Sequence, residues 1–182
     1  MPETTWSIEL LNLKPTDRIL EIGFGAGRGL ALALQHSPQG HITGVDLSTT
    51  MLAAAARRNQ AAYTAGQLSL LRADIVALPF QGQPFDKIVS VHTFYFWPQP
   101  HALFLQILPL LTAQGRCVIT FATAQTRSTG ERAYWSLHSQ AETLVQQLRQ
   151  QSDIRAELLF GPDSRQFNNV AIVVDKLHTS RE

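Results

Sequence analysis

Arg18-Ile19-Leu20-Glu21-Ile22-Gly23-Phe24-Gly25-Ala26-Gly27-Arg28-Gly29 is the stretch that decides the fold. It opens as a buried apolar strand, ends on an acid and breaks into glycine at every second position. Bare glycine backbone leaves N–H groups open to a flat, polar ligand lying against the main chain. A helix starting after Gly27 points its positive end at the same spot. The spacing also excludes one reading, because the dinucleotide fingerprint G-x-G-x-x-G requires glycine where this chain has Arg28. The ligand is therefore nucleotide-like but not NAD, and an NAD-dependent oxidoreductase becomes the disfavoured enzyme class.

Outward from this stretch, short strand-like runs alternate with helix-like runs. Strands are expected at Asp17 to Ile22, His41 to Asp46, Leu68 to Arg72, Phe85 to Val91 and Cys117 to Ala122. Helices are expected at Arg28 to His36, around Met51 to Ala56 with Ser48 as cap, and from about Pro100 to Leu111 with a kink or early end at Pro109. Another follows at about His138 to Gln150, where Ala141, Leu144, Val145 and Leu148 form one apolar stripe. Two last strands, Arg155 to Phe160 and Val170 to Leu177, have no helix between them and should pair antiparallel at one edge. The fold class is α/β: one doubly wound, Rossmann-like, mostly parallel seven-stranded sheet with an antiparallel C-terminal hairpin strand and helices on both faces.

The 182 residues suffice for one domain with a sizeable core. A net charge of +1 gives no electrostatic case for nucleic acid or an anionic membrane as partner. The single cysteine, Cys117, excludes an internal disulfide and a cysteine-based zinc cluster, and fits a reducing compartment. No apolar run reaches membrane-spanning length, and Met1-Pro2-Glu3-Thr4-Thr5-Trp6 has neither a basic start nor an apolar signal core. A cytoplasmic protein is expected. No metal is expected either, since no His, Asp and Glu cluster has ligand spacing.

In such a sheet the ligand sits beyond the carboxyl ends of the strands. The first strand delivers Glu21 and the glycines there, the second Asp46, the third Asp74, and the fourth His92 and Thr93 followed by Phe94-Tyr95-Phe96-Trp97. Asp46 lies nineteen positions after Gly27, near the spacing of about 20 for an acid that grips a ribose diol. Asp74 suits an exocyclic adenine amine or a plain turn, with Leu47 and Ile75 able to sandwich the base. Glu21 can meet the positive end of an amino-acid moiety or orient the glycine loop. His92 reads equally as a general base or as a hydrogen-bonded rim histidine, with Tyr95 as a positioning hydroxyl. The four aromatics can surround a cationic methyl and a planar substrate, or plug the next helix. Tyr134 and Trp135, between the fifth strand and its helix, occupy a place suited to a substrate lid.

Together these segments resemble the class I S-adenosylmethionine-dependent methyltransferases, the small-molecule type known as the type 11 or type 25 methyltransferase domain. The matching runs are Ile19 to Gly27, Gly44-Val45-Asp46-Leu47-Ser48, Ala73 to Phe80, Phe85-Asp86-Lys87-Ile88-Val89 and Leu111 to Arg116. The resemblance implies one domain over residues 1–182, with a cofactor half at about 14–92 and a substrate-side half at about 93–182. It implies that Glu21, Gly23, Gly25 and Gly27 line the methionine part of S-adenosylmethionine and that Asp46 holds the ribose. Leu47 and Met51 would flank the adenine, with Asp74 and Ile75 beside it and Val91 or His92 at the methionine end. S-adenosylhomocysteine would be the product, and a small molecule the methyl acceptor. His92 and Tyr95 are the catalytic candidates, and Phe94, Trp97, Tyr134 and Trp135 the substrate candidates. Lys87 and the turn Thr112-Ala113-Gln114-Gly115 depart from the family pattern without touching the cofactor residues. The reading from another class is a module that binds this cofactor without catalysis.

Overall fold

Leu20, Ile22, Ile42, Val45, Ile88 and Val89 are all buried, as continuous apolar runs must be in a sheet covered on both faces. The computed structural model describes residues 2–80, 84–124, 131–162 and 167–177. Its strands are β1 (Arg18–Ile22), β2 (His41–Asp46), β3 (Leu68–Arg72), β4 (Phe85–Val91), β5 (Leu111–Ala124), β6 (Ile154–Phe160) and β7 (Phe167–Lys176). They form one sheet in the order β3-β2-β1-β4-β5-β7-β6. The first five pair parallel, and β7 runs antiparallel to both β5 and β6. The chain is thus a seven-stranded, mostly parallel sheet ending in a reversed strand, as its residue pattern predicts. Strand order reverses between β1 and β4, and a crevice opens there at the carboxyl ends.

The helices are α1 (Pro2–Leu10), α2 (Arg28–His36), α3 (Thr49–Arg58), α4 (Gln60–Thr64), α5 (Pro100–Ile107) and α6 (Glu131–Leu148). Helices α5 and α6 pack Leu103, Phe104, Ile107, Leu144 and Leu148 into the core on one face of the sheet. On the other face α1, α2 and α3 contribute Ile8, Leu30, Ala33 and Ala55, joined by Leu11 just past α1. Among the described residues no helix is long and apolar enough to cross a membrane.

Helix α6 begins at Glu131, not at about His138, so Tyr134 and Trp135 lie on the helix and not between it and β5. Three other departures from the pattern-based expectation have identifiable reasons. Helix α5 stops at Ile107, and a single 3₁₀ turn over Leu108–Leu110 carries Pro109, whose ring cannot sit inside an α-helix. Strand β5 begins at Leu111 rather than Cys117, because a register irregularity between Phe85 and Lys87 lets Leu111 pair with Phe85 ahead of Arg116. Helix α1 has no counterpart in the apolar periodicity. Its buried residues are Thr4, Ser7 and Ile8, and two of those three are hydroxyl residues. The Ser7 and Thr120 hydroxyls meet at 2.8 Å, so Ser7 is hydrogen-bonded to the sheet.

Candidate active site

A cleft of about 300 Å³ opens at the crevice between β1 and β4. Ile22 and Gly23 form its first wall, Val45, Asp46 and Leu47 its second, and Ala73 and Ile75 extend it past β3. Val91, His92, Thr93, Phe96 and Trp97, at and beyond the end of β4, close the opposite side. Of the residues singled out in the sequence, Gly23, Asp46, Leu47, Ile75, Val91, His92 and Trp97 line this cleft, whereas Gly25, Gly27, Met51, Asp74, Phe94 and Tyr95 do not.

The glycine turn is dictated by sterics. Gly23 has φ +73°, and a Cβ there would collide with the Thr93 methyl. Gly27 has φ +78°, and a Cβ there would lie 2.8 Å from the Ala55 Cβ and from the Asn59 amide nitrogen. Asp46 organises the same turn. One carboxylate oxygen accepts the Gly25 N–H at 2.9 Å and the other the Ser48 N–H at 2.9 Å. The Ser48 hydroxyl then caps α3 by accepting the Met51 N–H.

Glu21 lies under the turn and does not line the cleft. Its carboxyl is buried against Gly29, and one oxygen, Oε2, has no hydrogen-bond partner among the described residues. Burial, reinforced by the nearby Asp46 charge, pushes its pKa up to about 8, against a smaller lowering by the Leu30 backbone N–H. The start of α2 therefore faces the protein's own carboxyl group. Glu21 is thus held neutral beneath the turn, and the Asp46 carboxylate is the acid that an anionic pyrophosphate would meet there.

Among the remaining candidates, Met51 is half-buried against the core on the α2–α3 side. Asp74 is exposed, and its side chain accepts the Val76 N–H at 3.1 Å, capping a one-turn helix at Ile75–Ala77. Phe94 is 1% exposed and packs on Phe121 with ring centroids 4.7 Å apart. The 3₁₀ turn at Phe94–Phe96 sends Phe94 into the core and leaves Phe96, 78% exposed, at the cleft mouth. Trp97 lines the cleft while almost fully buried. The side chains of Tyr134 and Trp135, on the first turns of α6, lie outside the described residues.

His92 has a hydrogen-bond partner at one ring nitrogen and a carboxylate near the other. Nδ1 lies 3.1 Å from the Tyr95 hydroxyl, and Nε2 lies 3.6 Å from a Glu3 carboxylate oxygen on α1. Tyr95 in turn accepts the Ala122 N–H at 2.6 Å. The His92 backbone holds φ +58°, rare for a residue with a Cβ, while its N–H donates to the Thr120 carbonyl at 2.8 Å. Glu3 is a site neighbour that nothing in the N-terminal sequence pattern marks, because the helix carrying it has no apolar signature.

A family model described as a methyltransferase domain matches residues 19–115, which contain every cleft-lining residue. The chain belongs to the class I S-adenosylmethionine-dependent methyltransferase family. Within this family it is 29% identical over 127 residues to the uncharacterized methyltransferase YdaC of Bacillus subtilis (strain 168), covering 70% of this chain and 68% of that one. A second curated relative, the 2-phytyl-1,4-naphtoquinone methyltransferase of Trichormus variabilis, is 35% identical over 44% of this chain, and the match spans only 35% of that protein. The fold superposes on the plantazolicin methyltransferase BpumL, solved in complex with SAH, with TM-score 0.72 at 17% identity over 97% of this chain and 83% of that one. It superposes equally on the [4+2]-cyclase SpnF, with TM-score 0.73 at 16% identity over 96% and 80% of the two chains. At these identities the structural likeness concerns the fold alone.

Proposed function

We propose that this methyltransferase-family chain transfers a methyl group from S-adenosylmethionine to a small-molecule acceptor. The observation that carries the reading is the glycine turn at Gly23 to Gly27, held by Asp46 and backed by buried Glu21, opening into a cleft walled by apolar and aromatic side chains. Gly23, Gly25 and Gly27 would admit the cofactor's main-chain contacts. Asp46 would take the ribose hydroxyls, Leu47 and Ile75 the faces of the adenine, Asp74 its amine, and Val91 the methionine end. Glu21 orients the turn from below, and Met51 supports the adenine wall from the core side. When bound, this cofactor supplies an electrophilic methyl group on a good leaving group, so the protein's share of the work is to align the acceptor and exclude water. Trp97 and Phe96 offer ring faces at the open side. His92, steadied by Tyr95 and Glu3, stands where it can take up a proton that the acceptor releases. The cofactor half is assigned to about 14–92 and the acceptor half to about 93–182, in a cytoplasmic setting suited to the lone buried Cys117.

The test is transfer of a labelled methyl group to a panel of phenols, amines, thiols and small acids, with Asp46→Ala as control. Transfer to one acceptor class that the variant loses supports the reading. Cofactor binding without transfer to any acceptor, in the panel or in cell extract, would establish a non-catalytic binding module instead. With an acceptor in hand, His92→Ala should lower turnover and change its pH profile. Unchanged turnover across pH would remove His92 from the chemistry.

A further inference from the structure

Beneath the cleft runs a hydrogen-bond chain whose polarity can be worked out from its members. The Ser90 hydroxyl donates its only proton to the Ile22 carbonyl at 2.7 Å. The Thr93 hydroxyl contacts the Ser90 oxygen, and because that proton is already committed, Thr93 must be the donor. An indole N–H can only donate, so the Trp97 Nε1–H, 3.3 Å from the Thr93 oxygen, completes the sequence from Trp97 to Thr93 to Ser90 to Ile22. Every proton is used once, and the direction is unique.

The two ends of this chain are the two walls of the cleft. Ile22 leads directly into Gly23, while Trp97 is the aromatic wall opposite. Thr93 also places its methyl group where a Cβ on Gly23 would have to go. Trp97 is held from behind by tilted contacts with Phe94 and Phe104, at centroid distances of 5.5 and 6.5 Å. Its indole plane is therefore set by packing on one side and by the Thr93 oxygen on the other. Phe96, largely exposed next to it, has no such restraint from the chain.

We propose that Thr93 is a positioning residue for the cleft: its hydroxyl holds the Trp97 indole in register with the glycine turn, so that ligand binding at the turn is transmitted to the aromatic wall. This rests on the reading that the cleft takes S-adenosylmethionine and its demethylated product. The Thr93→Val substitution keeps the shape and the methyl contact to Gly23 but removes the hydroxyl, whereas Thr93→Ser keeps the hydroxyl.

The experiment follows the indole N–H signals of the three tryptophans by ¹H–¹⁵N NMR, assigns Trp97 with Trp97→Phe, and titrates S-adenosylhomocysteine into each protein. In the unaltered protein the Trp97 signal should shift on binding and its solvent exchange should slow. In Thr93→Val the exchange should be faster and the affinity lower by about three- to tenfold, the scale of one neutral hydrogen bond, with Thr93→Ser close to the unaltered protein. A Trp97 signal that ignores the ligand in the unaltered protein overturns the proposal without needing any variant to fold. So does a Thr93→Val protein with undiminished affinity. Failure of the unaltered protein to bind S-adenosylhomocysteine at all is a distinct result and overturns the functional reading instead.

Discussion

Asp46 and Glu21 divide the labour of two acids at one turn. Asp46 reaches the cleft and spends its oxygens on the Gly25 and Ser48 N–H groups, so its removal deprives both the ligand and the turn of an acceptor. Asp46→Ala should weaken S-adenosylhomocysteine binding by roughly 10- to 100-fold in calorimetry, the scale of one or two charge-assisted hydrogen bonds. Glu21 keeps its proton in the folded state up to about pH 8 but loses it near its ordinary value of 4.5 when unfolded. The native state therefore binds more protons between these values, and Glu21 makes stability fall as pH rises through that window. Thermal unfolding of Glu21→Gln should lose this part of the pH dependence, with the greatest gain over the parent chain at pH 8 and above. Parallel melting curves for the two proteins from pH 5 to 8 would show that Glu21 is not buried as described. Both residues stand out in the sequence as strand-end acids. Their unequal depth does not, because it depends on how closely α2 approaches β1 over Gly29.

At the level of elements, the parallel strands and α2 were readable because apolar runs, glycine breaks and caps agree locally. Helix α1 was not readable, since its burial relies on a hydroxyl pair with a partner 113 residues away. Ser7→Ala should strand the Thr120 hydroxyl in the core and destabilise the fold by about 1–3 kcal/mol in denaturant melts. Replacing both residues by apolar groups of similar shape should cost less than the sum of the single changes. Strictly additive losses would mean the two hydroxyls are not coupled. The aromatic run after β4 was legible as a cluster, but its split into core Phe94 and rim Phe96 follows from a three-residue turn that composition alone does not specify. The glycine turn is less forgiving than either. Gly27→Ala adds a methyl group between Ala55 and Asn59 at positive φ and should cost roughly 2–4 kcal/mol, read as a lowered unfolding midpoint.

For the molecule as a whole, the strand order places the reversal between β1 and β4, and that single topological fact gathers residues 22–97 around one cleft. The wall formed by Gly23, Asp46, Leu47 and Val91 was legible because each contributor sits at or just past a strand end, a position that periodicity marks. The opposite wall was less legible, because Phe96 and Trp97 are placed by a 3₁₀ turn whose arrangement is set by tertiary packing. The central claim concerns the ligand itself: the glycine turn, held by the Asp46 carboxylate and backed by a neutral Glu21, takes an adenosine compound of the S-adenosylmethionine type and not an anionic dinucleotide. Isothermal titration calorimetry of the purified, folded chain tests this most directly. The account predicts one saturable site for S-adenosylmethionine and for S-adenosylhomocysteine, and no measurable site for NAD. Binding of NAD, or no heat with either adenosine compound, would contradict it.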